Sequence, residues 1–298
     1  MILSPIVLFV YNRPNHTRKT IEALQKNDLA SDSELFIYSD APKNAYAITK
    51  VNEVREYINS IGGFKKISIV EREKNWGLAN SIINGVTEII NDYGKIIVLE
   101  DDLVTSPSFL KFMNTALEMY ENEIKVASIH GYIYPIKGLP ETFFIRGADC
   151  WGWATWRDKW KIFEPEGQKL LNELKIRRLE KAADFNNSYG YTQMLKDQIA
   201  GKNNSWAVRW YISAFLKDMI TLYPGTSFVQ NIGHDTYGTH CTIETNAFRV
   251  TLNQNPAIEK IPIEENKEAR KKMEIFFNTL KPFLAIRVVS ALKSILKS

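Results

Sequence analysis

Four short β-rich runs, Ile6–Val10, Leu35–Tyr38, Ile67–Val70 and Ile96–Leu99, recur about 30 residues apart in the first third of this 298-residue chain. Helical patterns fill the gaps, at Thr17–Gln25, Thr49–Ile61 and Leu78–Ile90. Alternation at this spacing builds βαβ units around a parallel sheet, so the expected class is α/β. The intervening sequences do not match one another, which excludes a repeat protein. Ser106–Glu121 predicts a further helix, with Ser106 as N-cap and Pro107 at the first helical position. Downstream, Trp206–Leu216 predicts a helix and Ile220–Tyr223 a short strand; residues 166–202 are helical in pattern and polar.

The fourth run ends in carboxylates: Ile96-Ile97-Val98-Leu99-Glu100-Asp101-Asp102-Leu103. Open α/β sheets bind ligands at the carboxyl ends of their strands. Adjacent carboxylates cannot pair with one another and need a cation. Hard oxygen ligands suit Mg²⁺ or Mn²⁺, ions that also hold substrate phosphates. The plainer reading is an acidic turn capping the next helix.

The other strand ends carry weaker signals. Tyr11-Asn12-Arg13-Pro14 follows the first strand, with neither the G-x-G-x-x-G of a dinucleotide site nor a P-loop. Arg13 can meet phosphate or a base carbonyl there, or flank a helix at the surface. Asp40, after the second strand, can accept hydrogen bonds from a base or ribose, or open the turn Asp40-Ala41-Pro42. Asn75-Trp76-Gly77 precedes the third helix, and Gly77 can open it toward a phosphate.

In this order along the chain, Asn12-Arg13, Ser39-Asp40, Asn75-x-Gly77 and Glu100-Asp101-Asp102 resemble a GT-A glycosyltransferase. The triplet, and Trp151-Gly152-Trp153 with Trp156 further on, are similar to the Golgi N-acetylglucosaminyltransferase that initiates complex N-glycans. They are also similar to family 2-like bacterial transferases of surface-polysaccharide clusters. The resemblance covers residues 4–242. It implies a Rossmann-like, mixed, mostly parallel sheet flanked by helices. It implies that Asp102 coordinates Mn²⁺ or Mg²⁺, that Asp101 contacts ribose or metal and Glu100 the donor sugar, and that Asp40 and Arg13 bind the base. A divalent ion would neutralise the nucleoside diphosphate as it leaves. The favoured donor is a UDP-sugar.

A C-terminal histidine often completes the metal shell in this fold, and His234, with His240 nearby, fits that role; both are equally readable as loop histidines. The tryptophans Trp151, Trp153, Trp156 and Trp160 either stack on sugar or anchor the core, as do Trp206 and Trp210. Inverting transfer needs a carboxylate to take the acceptor proton. The stretch that corresponds to the Golgi enzyme's acidic segment is Trp206-Ala207-Val208-Arg209-Trp210, which contains none. Asp149 and Asp235 are the substitutes.

The domain is expected over 1–262, with a nucleotide-sugar half (1–105) and an acceptor half (106–262). A helical appendage follows over 263–298. Its end, 282–298, has Leu284, Val288, Leu292 and Ile295 on one face and only basic charges. Such a helix lies in a membrane interface, packs on the domain or joins a dimer. Two cysteines without zinc spacing, no signal-peptide pattern and no spanning stretch make a cytoplasmic protein the expectation, with peripheral contact at the inner face of the plasma membrane. A net charge of +4 suits anionic small molecules without requiring nucleic acid. The expected activity is metal-dependent, inverting transfer of a hexosyl or N-acetylhexosaminyl group to a surface glycan, lipid-linked or part of a lipooligosaccharide. The alternatives are a sugar nucleotidyltransferase, which would want a Gly-rich basic loop after the first strand, and a non-catalytic binding module of the same fold.

Overall fold

The computed structural model describes residues 2–233, 246–255 and 257–280. His234, Asp235, His240 and the stretch 282–298 lie outside the described residues. Strands β1 (Ile6–Val10), β2 (Glu34–Ser39), β3 (Lys66–Glu71) and β4 (Lys95–Glu100) alternate with helices α1 (Pro14–Gln25), α2 (Ile48–Asn59) and α3 (Gly77–Tyr93). After β5 (Leu103–Thr105) and α4 (Phe109–Met119) come β6 (Val126–His130), β7 (Thr142–Arg146) and β8 (Trp153–Trp156). Helical segments α5 (Arg157–Trp160), α6 (Gly167–Ile176), α7 (Glu180–Ala183), α8 (Tyr191–Ile199) and α9 (Trp206–Leu216) lead to β9 (Ile220–Pro224) and β10 (Val229–Asn231). A last helix, α10, spans residues 267–280.

Eight strands form one sheet in the order β3-β2-β1-β4-β8-β6-β9-β7. The β3-β2-β1-β4 half is wholly parallel. β8 runs against β4 and β6, and β7 against β9, so the sheet is mixed and mostly parallel, as expected. β1 lies at the centre of the parallel half with every residue buried, which is why it is a continuous apolar run rather than an alternating one. β5 and β10 form a separate antiparallel pair.

That pair corrects one expected boundary. The helix expected to open at Ser106-Pro107 begins at Phe109, with Ser108 at the N-cap. Leu103–Thr105 is drawn into pairing with β10, and the Ser106 amide donates to the Phe228 carbonyl at 2.8 Å. A strand partner claims the backbone that a helix start would need.

The tryptophans divide into two kinds. Trp153, Trp160, Trp206 and Trp210 are buried and pack on one another, with ring centroids 5.2–5.8 Å apart. Trp156 is buried as well. These are core residues; only Trp151 of the set reaches a cleft. At the C-terminal side, α10 buries Ala269, Met273, Phe277 and Leu280, positions repeating at helical spacing. Phe277 meets the rings of Phe185 and Tyr189, and Arg270 donates to the Ala182 carbonyl at 2.6 Å. Residues beyond the expected boundary at 262 therefore share the main core. Among the described residues no helix is long and apolar enough to cross a membrane.

Candidate active site

Parallel pairing brings three strand ends to one edge. Phe9 lies opposite Glu100 and Val10 opposite Ser39. The residues that follow β1, β2 and β4 therefore converge, as they do wherever an open parallel sheet carries a ligand. The cleft there has a volume of about 440 Å³. Arg13, Asp40, Asn75, Gly77, Glu100, Asp101 and Asp102 all line it, so the residues singled out in the first third of the chain are brought together. Tyr11, Lys43, Ser81, Trp151, Asn231 and Gly233 are also among its lining residues.

Arg13, expected to meet the base, faces the acidic triplet. Its guanidinium turns onto the acidic triplet, hydrogen-bonding Asp101 Oδ1 and, at 3.0 Å, Asp102 Oδ2. Burial disfavours its charge, but the two aspartates outweigh burial and its pKa rises. One cation does not balance three carboxylates. Glu100 is pushed up to about 8, by burial first and then by Asp102 and Asp101. Asp101 is also raised by burial, with Arg13 opposing. The triplet thus holds more negative charge than Arg13 compensates. Oxygen donors with unbalanced charge fit Mg²⁺ or Mn²⁺, which bind through one or two carboxylates plus a substrate's phosphates. Among the described residues no three acidic, His or Cys side chains form a closed metal cage, so an ion here would share its shell with phosphate and water.

The segment entering from β10 lies against Asp102. The Ile232 amide donates to the Asp102 carbonyl at 2.8 Å. At Gly233 a Cβ would stand 2.1 Å from Asp102 Oδ2, so a larger residue there would have to shift that carboxylate or the loop. His234 would be the next residue; its position lies outside the described residues.

Asp40 caps rather than reaches outward. Its Oδ1 accepts from the amides of Ala41 and Trp76, both at 2.9 Å, and its Oδ2 from the Gly77 amide at 2.8 Å. Asn75 donates to the Ala41 carbonyl at 2.6 Å. The Trp76 and Gly77 amides, at the start of α3 where a phosphate was expected, are bonded to the Asp40 carboxylate. Asp40 and Asn75 lash the end of β2 to the loop before α3, and so set one wall of the cleft. Three of the roughly four lone pairs of Asp40 are taken, leaving one for a ligand.

Asp149 is not part of this wall. It belongs to the loop between β7 and β8, which starts at Gly147, where φ is +104° and a Cβ would meet the Tyr211 ring at 2.4 Å. Asp149 Oδ1 accepts from the Cys150 amide at 2.9 Å, and the Tyr223 hydroxyl donates to Oδ2 at 3.4 Å. The Trp151 amide donates to His130 Nε2 at 3.0 Å. Trp151 separates the two regions: it lines the cleft and meets Tyr132, Tyr134 and Phe248 at centroid distances of 4.7, 6.5 and 5.9 Å. The Cys150 thiol is raised by burial and then by Asp149, Glu100 and Asp102, so it lies within electrostatic reach of both carboxylate groups. The stretch 206–210 adds nothing acidic: Arg209 is buried and donates to the carbonyls of Ser205 and Pro165.

Sequence reasoning missed Asn231 and Gly233, which a distant strand pairing delivers, and Lys43 and Tyr11. Tyr11 carried a usable signal, being next to Asn12-Arg13; the Lys43 amide donates to its hydroxyl at 3.0 Å.

No curated protein matches the chain. Among solved structures, GalNAc-T7 with UDP, GalNAc and Mn²⁺ is similar at 13% identity and TM-score 0.39, over 54% of this chain and 37% of that one. A mannosyltransferase of Pyrobaculum calidifontis, in complex with GDP-Man and Mn²⁺, gives 13% and 0.34, over 45% and 36%. TarS of S. aureus, residues 1–349, gives 13% and 0.33, over 51% and 47%. Each match spans less than half of the solved chain. The sequence profile of Glycosyl transferase family 2 matches residues 6–186, which include every cleft residue from β1 to Trp151. The chain belongs to glycosyl transferase family 2.

Proposed function

We propose that this protein transfers a sugar from a nucleotide-sugar donor, held in the cleft between β1, β2 and β4, to a glycan acceptor. One observation carries the reading: three carboxylates at the end of a parallel strand, two of them paired with the Arg13 guanidinium, open into a cleft of about 440 Å³. Asp102 and Asp101 would hold a divalent ion, and that ion supplies charge stabilisation to the departing diphosphate. Asp40 and Asn75 fix the wall against which base and ribose lie. Arg13 keeps the two aspartates aimed into the cleft and lowers their repulsion. His234 and the tail 282–298 remain part of the proposal as a further metal ligand and as a contact to a membrane that carries a lipid-linked acceptor.

A thermal-shift panel tests this, with UDP-, GDP- and dTDP-sugars each measured with and without Mn²⁺. A ligand at 100 times its Kd stabilises the folded state by about 2.7 kcal/mol, so the donor stands out by a Tm rise that needs the metal. No shift with any nucleotide would end the reading. A second reading, a binding module without turnover, is favoured by the absence of a carboxylate from 206–210. Nucleotide binding with neither transfer nor donor hydrolysis would decide for it.

A further inference from the structure

We infer that Asn231 reads the sugar of the donor: its side-chain amide donates to an uncharged oxygen of the pyranose, a hydroxyl or an acetamido carbonyl, and so selects which sugar nucleotide the cleft accepts. This rests on the transfer reading above and assigns a specificity-determining residue to the sugar end of that site. Asn231 lines the cleft and is only 8% exposed. Its Oδ1 accepts from the Gly233 amide at 2.8 Å. A backbone amide can only donate, so this bond settles which end of the side chain is oxygen. The Nδ2 end then carries two N–H groups, and among the described residues nothing accepts from them. Nor is that nitrogen sealed inside the protein; on a residue so nearly buried, the open side is the cleft. Donors left unmet on a buried residue are costly, and a ligand that accepts from them recovers the cost. The fold holds this amide in place. Asn231 lies opposite Leu103 in the β5–β10 pair, and its carbonyl accepts from the Gln230 side chain at 2.7 Å. Leu103 directly follows Asp102, so the amide is a fixed neighbour of the acidic triplet.

Strand order selects the part of the donor that meets it. The wall set by Asp40 and Asn75 stands at the end of β2. The triplet ends β4, two strands along, and Trp151 precedes β8, the next strand again. Neighbouring strands are ~4.8 Å apart, so wall and triplet are separated by about 10 Å. Base and ribose lie at the first, and the diphosphate with its ion at the second. The sugar, attached to the far phosphate, then falls on the β8 side. Asn231 and Trp151 line the cleft there, and their elements pack together: a Cβ at Gly152 would stand 2.8 Å from Val229 Cγ2 of β10. Charge agrees with this placement. A phosphate bound to a divalent ion already has its countercharge, whereas a pyranose offers neutral oxygens that an uncharged amide can meet beside three carboxylates.

The test uses the full-length protein and calorimetry in the presence of Mn²⁺. Affinities are measured for UDP, UDP-glucose and UDP-N-acetylglucosamine, or for GDP and GDP-mannose if the thermal-shift panel selects guanine. Asn231→Ser and Asn231→Thr each keep a side-chain oxygen for the Gly233 amide, lose the N–H donors and add no charge beside the triplet. Each is expected to lower the affinity for the sugar nucleotide, relative to that for the bare diphosphate, by about tenfold, the loss of one hydrogen bond with its partner left unpaired. A loss confined to the acetamido sugar identifies the carbonyl as the acceptor; an equal loss with both UDP-sugars identifies a hydroxyl they share. The ratio isolates the sugar contact, because a structural role through Gly233 and Asp102 would weaken diphosphate and sugar nucleotide alike. An unchanged ratio in either variant, whether both affinities hold or both fall, would overturn the assignment and leave the donor site standing. Failure of every nucleotide to bind the wild type would remove the transfer reading and this inference with it.

Discussion

Gly233 and Asp102, far apart in the sequence, touch in the fold: a Cβ at Gly233 would overlap Asp102 Oδ2 at 2.1 Å and approach Arg13 Nη1 at 3.2 Å. The contact exists because β10 pairs with β5 and delivers its last residues to the acidic triplet. Gly233→Ala must displace either the carboxylate or the loop. Overpacking of this kind costs about 1–3 kcal/mol. The larger expected effect is on function, because the displaced group is the proposed metal ligand. Mn²⁺-dependent nucleotide affinity, read by calorimetry, should fall while the protein stays folded; equal affinity would mean that the Asp102 carboxylate is not displaced from the ion and that the loop gives way instead.

Asp102→Ala separates stability from function. The Asp102 side chain is 15% exposed, and its charge is one of the causes that push Glu100 to about 8. Removing it relieves repulsion within the triplet, so Tm at neutral pH should hold or rise. Metal-dependent transfer should disappear, since a direct ligand is worth far more than a surface charge. A variant that still responds to Mn²⁺ as the wild type does would place the metal elsewhere.

Asp40→Ala removes a carboxylate that accepts from three backbone amides. At least one of those amides is left without a partner, at a cost of about 1–3 kcal/mol. Denaturant midpoints should fall accordingly, and nucleotide binding should weaken as the β2 and α3 wall loosens. Full stability in the variant would show that water replaces the cap without penalty.

The middle of the parallel half is legible because strands buried on both faces, β1 and the interior of β4, are unbroken apolar runs; β1 matches Ile6–Val10 residue for residue. Its site residues were legible for the same reason, since whatever follows a parallel strand arrives at the ligand edge. The antiparallel half left no such trace. β5 and β10 are three residues each, too short for a period to register. Trp153 to Trp156 form a strand, but their rings read equally as a helix anchor until the sheet order is known. Asn231 and Gly233 owe their place to one long-range pairing, which nothing local encodes. The pairing of Arg13 with Asp101 and Asp102 is not legible locally, because those aspartates sit in the turn after β4, far along the chain.

His130 gives the fold a pH response. It is 1% exposed, and its Nε2 accepts the Trp151 amide, so that nitrogen must be unprotonated. Burial depresses its pKa below 6.5, with the charge of Asp149 opposing. A histidine with a depressed pKa binds fewer protons folded than unfolded across the interval between its two values, so stability rises with pH there. On acidification, the loss begins as pH falls through about 6.5 and is complete once the folded value is passed. His130→Gln keeps an acceptor for the Trp151 amide and cannot titrate. The difference in Tm between wild type and this variant should therefore grow against the wild type as pH drops from 7 toward 5. Parallel Tm curves over that range would mean that His130 takes up its proton equally in the folded and unfolded chain, and the Trp151 loop would then need another anchor.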